Sequence, residues 1–142
     1  MRRQEQFLRK YQEMLIYRIT DIFFVLFHTC LIIFNLSGWK WKRTRKLNLV
    51  FLLLTGGSWL FLGMLTGTPG YCPLTVWHFW VLQKLGHTDL PASYIKYLCD
   101  RLTGIDFNAI LIGRLTFYFF LGALLISLFL NLRDFRKMRP ER

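Results

Sequence analysis

Four side chains within one apolar stretch carry the functional groups most able to do chemistry. Arg18, Asp21, His28 and Asn35 interrupt a run of Ile, Leu, Val and Phe. On a helix turning about 100° per residue they project at roughly 0°, 300°, 280° and 260°, within an arc of about 100°. Phe23, Leu26, Phe27, Ile33 and Phe34 cover the other side. An Asp and a His sharing one face could hold a proton, an ion or a quinone, and His28 could ligate a haem iron. Only His28 of the three histidines lies in such a stretch, whereas a bis-histidine haem takes two at matched depth. Arg18 and Asp21 are three residues apart, close enough on a helix to pair. The structural alternative is that the stripe binds the spans, or a neighbouring subunit, together, with Arg18 and Asp21 snorkelling to the headgroups.

The elements that position this stripe follow from composition. Of 142 residues 54% are apolar and 18% aromatic, gathered in long runs with the net charge of +11 between them. That pattern excludes a disordered chain, a secreted disulfide scaffold and an ordinary soluble enzyme domain. A hydrocarbon core about 30 Å thick requires about 20 mostly apolar helical residues. Three stretches qualify, at about 16–37, 47–66 and 109–132. The expected architecture is therefore all-α: one integral membrane domain over 1–142, with three transmembrane helices and two short helices in an outer loop, 67–108. The tail before the first span is itself helical by pattern, with Phe7, Leu8, Tyr11, Met14 and Leu15 on one face, and it runs into that span.

The first loop, with Lys40, Lys42, Arg43, Arg45 and Lys46, shares a side with a C-terminal tail carrying Arg133, Arg136, Lys137, Arg139 and Arg142 against Asp134 and Glu141. The positive-inside rule assigns that side to the cytoplasm and the N terminus to the outside. The Lys40–Lys46 cluster interleaves bases with Trp41, and contact with anionic lipid explains it better than nucleic acid does.

In the outer loop, Thr75 is placed to cap a short apolar helix ending at Gly86. A second helix from about Pro91 to Thr103 puts Tyr94, Ile95, Leu98, Cys99 and Leu102 on one face, with Lys96 and Asp100 opposite. Asp106 or Asn108 then caps the third span. Cys72 and Cys99 share this loop, so a disulfide between them is chemically permitted. His78, His87 and the two cysteines have no zinc-ligand spacing, and no metal site is expected. Gly56, Gly63 and Gly67 fall on one face of the second span, the last two as G-x-x-x-G, a seam for close helix packing. Gly113, Thr116, Ala123, Ser127 and Asn131 form a similar stripe on the third span, where Arg114 could pair with Asp106 or Asp21.

The block Gly70-Tyr71-Cys72-Pro73-Leu74-Thr75, lying after two spans and before a third, resembles the signature of a family of small bacterial membrane proteins catalogued as a domain of unknown function. Tyr17, Arg18, Asp21 and His28 fit the same pattern, and the resemblance covers about residues 15–132. Many relatives carry Glu three residues after the Thr, completing a capping box, where this chain has His78. The resemblance implies a multi-pass protein of the bacterial inner membrane and implies no activity.

The expected function is a non-catalytic accessory or scaffolding subunit of a larger membrane complex, or a homo-oligomer, because three helices alone do not enclose a pore. No catalytic residue and no cofactor are assigned, and an enzyme is the less favoured reading. The alternative is a membrane protein that handles a proton, a quinone or a haem through His28, Asp21 and Arg18.

Overall fold

A computed structural model describes residues 2–68 and 70–138, with the side chain of Met138 left out. Pro69, expected to help break the second span, and Arg139, Glu141 and Arg142, counted in the charge balance, lie outside the described residues. All regular structure among the described residues is helical. Helix α1 spans Arg2–Ser37, α2 Arg45–Thr66, α3 Pro73–Lys84, α4 Tyr94–Thr103 and α5 Ala109–Met138. Helices α1, α2 and α5 are long and apolar enough to cross a membrane. At 1.5 Å per residue the shortest of them, α2 with 22 residues, extends about 33 Å, enough for a hydrocarbon core.

Local chemistry sets the breaks. Gly67 adopts the left-handed conformation (φ 66°) that ends α2, so it serves as a helix terminator where a packing seam was expected. A π turn at Ser58–Leu62 widens α2 where the Ser58 hydroxyl donates to the Tyr71 carbonyl at 3.0 Å. Helix α3 starts at Pro73, two residues before the expected cap Thr75. Proline holds φ ready for the first helical turn and gives up no needed N–H, and Cys72 precedes it extended. Helix α4 likewise starts after Pro91, at Tyr94, with Ser93 as its cap. Asn108, and not Asp106, caps α5 through bonds from the Ile110 and Leu111 amides.

Helix α2 packs along α5, and α3 lies against α1. Gly56 permits the first contact: a Cβ there would sit 3.1 Å from the Phe120 ring. Gly63 is buried as well. The outer surfaces of the three long helices are crowded with exposed Leu, Ile and Phe, as a lipid-facing surface requires. The interior is the reverse. Among the described residues, the spans bury only Leu52 and Ala123 as apolar core, against Asp21, His28, Asn35, Arg45, Asn48 and Ser127.

Candidate functional site

The polar interior begins at the end of the bundle that carries the long loop. Asp21, Asp21+7 (His28) and His28+7 (Asn35) repeat at heptad spacing, and they are the three buried residues of α1. Asp21 is held by a two-pronged ion pair from α4: Arg101 Nη1 donates to Oδ1 at 2.6 Å and Nη2 to Oδ2 at 2.8 Å. His78 of α3 meets the same carboxylate, with Nε2 2.8 Å from Oδ1. Its Nδ1 lies 3.0 Å from the Tyr94 hydroxyl, which is also 3.5 Å from the Phe24 carbonyl. With Asp21 ionised against Arg101, the consistent assignment has His78 Nε2–H donating to Asp21 and Nδ1 accepting from Tyr94.

Burial pushes the His78 imidazole below the ordinary histidine value, and the Asp21 carboxylate pulls back only part of that. Burial raises the Tyr94 phenol, keeping it a hydroxyl. Phe24 stacks on His78 with centroids 5.1 Å apart, and His28 stacks on Tyr94 at 3.9 Å. His28 is itself 5% exposed, yet neither ring nitrogen has a hydrogen-bond partner among the described residues. The Phe24 carbonyl approaches it without meeting hydrogen-bond geometry.

Further along the bundle Asn35 donates to the Thr55 hydroxyl at 3.2 Å. Asn48 donates to the Phe34 carbonyl at 2.7 Å and to the Asn35 carbonyl at 3.2 Å, closing the end of α1. Gly38 makes room for that amide, since a Cβ on it would lie 2.9 Å from Asn48 Nδ2. At the first-loop end, Arg45 donates to Asp134 at 2.7 Å and to the Trp39 carbonyl at 3.0 Å, and Asn131 donates to the Arg45 carbonyl at 3.1 Å. An ion pair thus closes each end of the polar interior.

The expected stripe is therefore redrawn. Asp21, His28 and Asn35 turn inward, whereas Arg18 is exposed and Asp21 takes its cation from Arg101, 80 residues away. Arg18 precedes Asp21 by three residues, which puts it about 60° off the heptad line, toward the outside. Helix α4 is rotated from its aliphatic face by roughly a quarter turn: Tyr94, Tyr97, Leu98 and Arg101 meet the bundle while Leu102 is exposed. Cys30 is exposed, and Cys72 and Cys99 are half-buried, all three as free thiols in this structure. His87 is exposed, and Arg114 is exposed on α5 without an ion pair among the described residues. Of the signature block, Gly70 and Cys72 lead into α3, Pro73, Leu74 and Thr75 form its first turn, and that turn sets His78 against Asp21. Arg101, Tyr94, Asn48, Arg45 and Asp134 are the members that sequence patterning missed as site residues.

Residues 18–132 match the model of a family described as "Protein of Unknown function (DUF2784)". The chain belongs to that family. The matched segment of this family contains Asp21, His28, Asn35, Arg45, Asn48, His78, Arg101 and Ser127, and stops two residues short of Asp134. No curated protein and no solved structure matches the chain.

Proposed function

We propose that this chain is a proton-handling membrane protein, with the polar interior from Asp21 to Arg45 as the route along which protons are held and passed. One observation carries the reading. Among the described residues, five buried polar atoms have no hydrogen-bond partner: His28 Nδ1 and Nε2, Asn35 Oδ1, Asn48 Oδ1 and Ser127 Oγ. Leaving such an atom unsatisfied costs about 1–3 kcal/mol, so they are sites that water or a proton carrier would occupy. They lie between the two ion-paired ends, on α1, α2 and α5. Ionisable groups within a span are most often functional.

The chemistry at the long-loop end fits. Asp21, fixed by Arg101, offsets part of the burial cost of a proton arriving on His78. Once His78 carries two N–H groups, Nδ1 donates to Tyr94 and the Tyr94 hydroxyl turns to the Phe24 carbonyl. His28, packed face to face on Tyr94, is the next base inward. Arg18 has no part in this route, and Arg101 takes the place first assigned to it.

Vesicles loaded with a pH-sensitive dye test the proposal. Protein-containing vesicles should dissipate an imposed pH gradient faster than empty ones, and His28→Phe and His78→Gln should return the rate to that of empty vesicles. A wild-type rate equal to empty vesicles, or a His28→Phe rate equal to wild type, would overturn it. A second reading, the accessory subunit, is favoured by another feature. The N-terminal part of α1 exposes Phe7, Leu8, Tyr11 and Leu15 on one face, a surface suited to a neighbouring helix. A tagged protein recovered alone and monomeric from mild detergent would remove that reading.

A further inference from the structure

At the opposite end of the bundle, residues of α2, of the turn before it and of α5 line a groove of about 530 Å³. Its rim carries Lys42, Lys46 and Lys137, and its floor is formed by Leu49, Leu132 and Phe135. Arg45 and Asp134 also line it, but they are bonded to each other at 2.7 Å, so their charges cancel locally. None of the three lysines forms a salt bridge among the described residues, although Lys42 lies near enough for its charge to act on Asp134. Phe135 is 63% exposed and Leu132 50% exposed, an apolar floor continuous with the lipid-facing sides of α2 and α5.

From this pairing of three ammonium groups with an apolar floor, we infer that the groove binds one anionic phospholipid of the surrounding leaflet. Its phosphate sits among Lys42, Lys46 and Lys137, and an acyl chain lies over Leu49, Leu132 and Phe135. A phosphate fits the charge balance: with Arg45 and Asp134 mutually neutralised, the rim carries an excess of three positive charges over the groove. A soluble acidic peptide would leave the apolar floor facing hydrocarbon with nothing gained. A zwitterionic lipid would bring its own ammonium among the lysines. The general basic character of Lys40–Lys46 thereby becomes a site on the first-loop turn, α2 and α5, in which Lys137 takes part and Arg45 does not. The inference is independent of the proton reading and uses none of its residues except the Arg45 bracket.

The test is lipid retention by the full chain purified in mild detergent and exchanged with phosphatidylglycerol or phosphatidylcholine, counted by native mass spectrometry. One phosphatidylglycerol per chain should survive dilution, and phosphatidylcholine should not. Each base near an anionic surface is worth about a fivefold change in affinity, so Lys46→Gln with Lys137→Gln should lower retention about thirtyfold. Phe135→Gln should lower it without altering charge. Lys10→Gln with Arg18→Gln, the same charge change at the other end of α1, should leave it intact. The inference is overturned if both lipids are retained equally, if the Lys10 and Arg18 variant loses as much as the groove variant, or if glycerol phosphate displaces the lipid at equal concentration.

Discussion

Arg101 should matter more to stability than the aspartate it binds. The Asp21 carboxylate accepts three charge-assisted bonds, at 2.6 and 2.8 Å from Arg101 and 2.8 Å from His78, and its side chain is 11% exposed. The Arg101 side chain is 37% exposed. Replacing Arg101 by Gln leaves a buried carboxylate with His78 alone. Orphaning a buried charge costs about 3–5 kcal/mol, and the solvent access at Arg101 reduces this to about 2–3 kcal/mol. Asp21→Asn keeps an acceptor for His78 and leaves a guanidinium able to turn toward water, at about 1–2 kcal/mol. The double variant should regain about 1–2 kcal/mol over the sum of the singles, because the orphaned charge is gone. Unfolding in mixed micelles by graded addition of a denaturing detergent, followed by circular dichroism, measures all three. If Asp21→Asn costs as much as Arg101→Gln, or if the singles add without coupling, the two-pronged clamp is not what holds α4 to α1.

Two further outcomes follow from packing and burial. Gly38→Ala places a methyl 2.9 Å from Asn48 Nδ2 and 3.0 Å from the Phe34 ring, and overpacking of this kind should cost about 1–3 kcal/mol in the same assay; a neutral result would mean that the α1–α2 corner yields freely. His78 takes a proton less readily in the fold than in the unfolded chain, since burial outweighs Asp21. The unfolded state therefore binds more protons, so stability is full above the ordinary histidine value of about 6.5 and falls as pH drops below it. Melting temperatures across that range should decline for the wild type and flatten for His78→Gln, and an identical decline in both would place the titrating group elsewhere.

The spans were legible because hydrocarbon thickness imposes a length and an apolar content that no soluble helix needs. The polar stripe was legible for the same reason, since a carboxylate and an imidazole in lipid must face protein. Arg18 was misplaced because an arc of about 100° is wider than the seam, whereas the spacing of 21, 28 and 35 would have excluded it. Arg101 lay hidden in α4, where the rule that the aliphatic face turns inward fails. The surface that α4 covers carries Asp21 and His78, so the helix presents Tyr94, Tyr97 and Arg101 to it and leaves Leu102 outside. The Arg45–Asp134 pair spans 89 residues, and no local pattern distinguishes Arg45 from the lysines beside it.

In lipid, burying apolar surface gives helices little reason to associate, so polar contacts and close packing must hold them. Adhesion accounts for part of this interior. Asn35 and Asn48 spend amide N–H groups on Thr55 and on the carbonyls closing α1, and Asn131 spends its own on the Arg45 and Ser127 carbonyls. Because only the NH2 side of an amide can donate to a carbonyl, those bonds fix the orientation of Asn48 and Asn131. Asn48 Oδ1 is thereby left an acceptor without a donor, and among the described residues Asn35 Oδ1, Ser127 Oγ and the His28 ring nitrogens are without a hydrogen-bond partner too. Glue alone would need the donors and would gain nothing from buried bare oxygens, each of which lowers stability. The two amide oxygens take hydrogens, whereas the Ser127 hydroxyl and one nitrogen of a neutral His28 can give one, a mixture that water, as donor and acceptor, satisfies and an anion alone does not. The donors hold the helices together, and the oxygens and the unpartnered imidazole are what an adhesive role leaves unexplained.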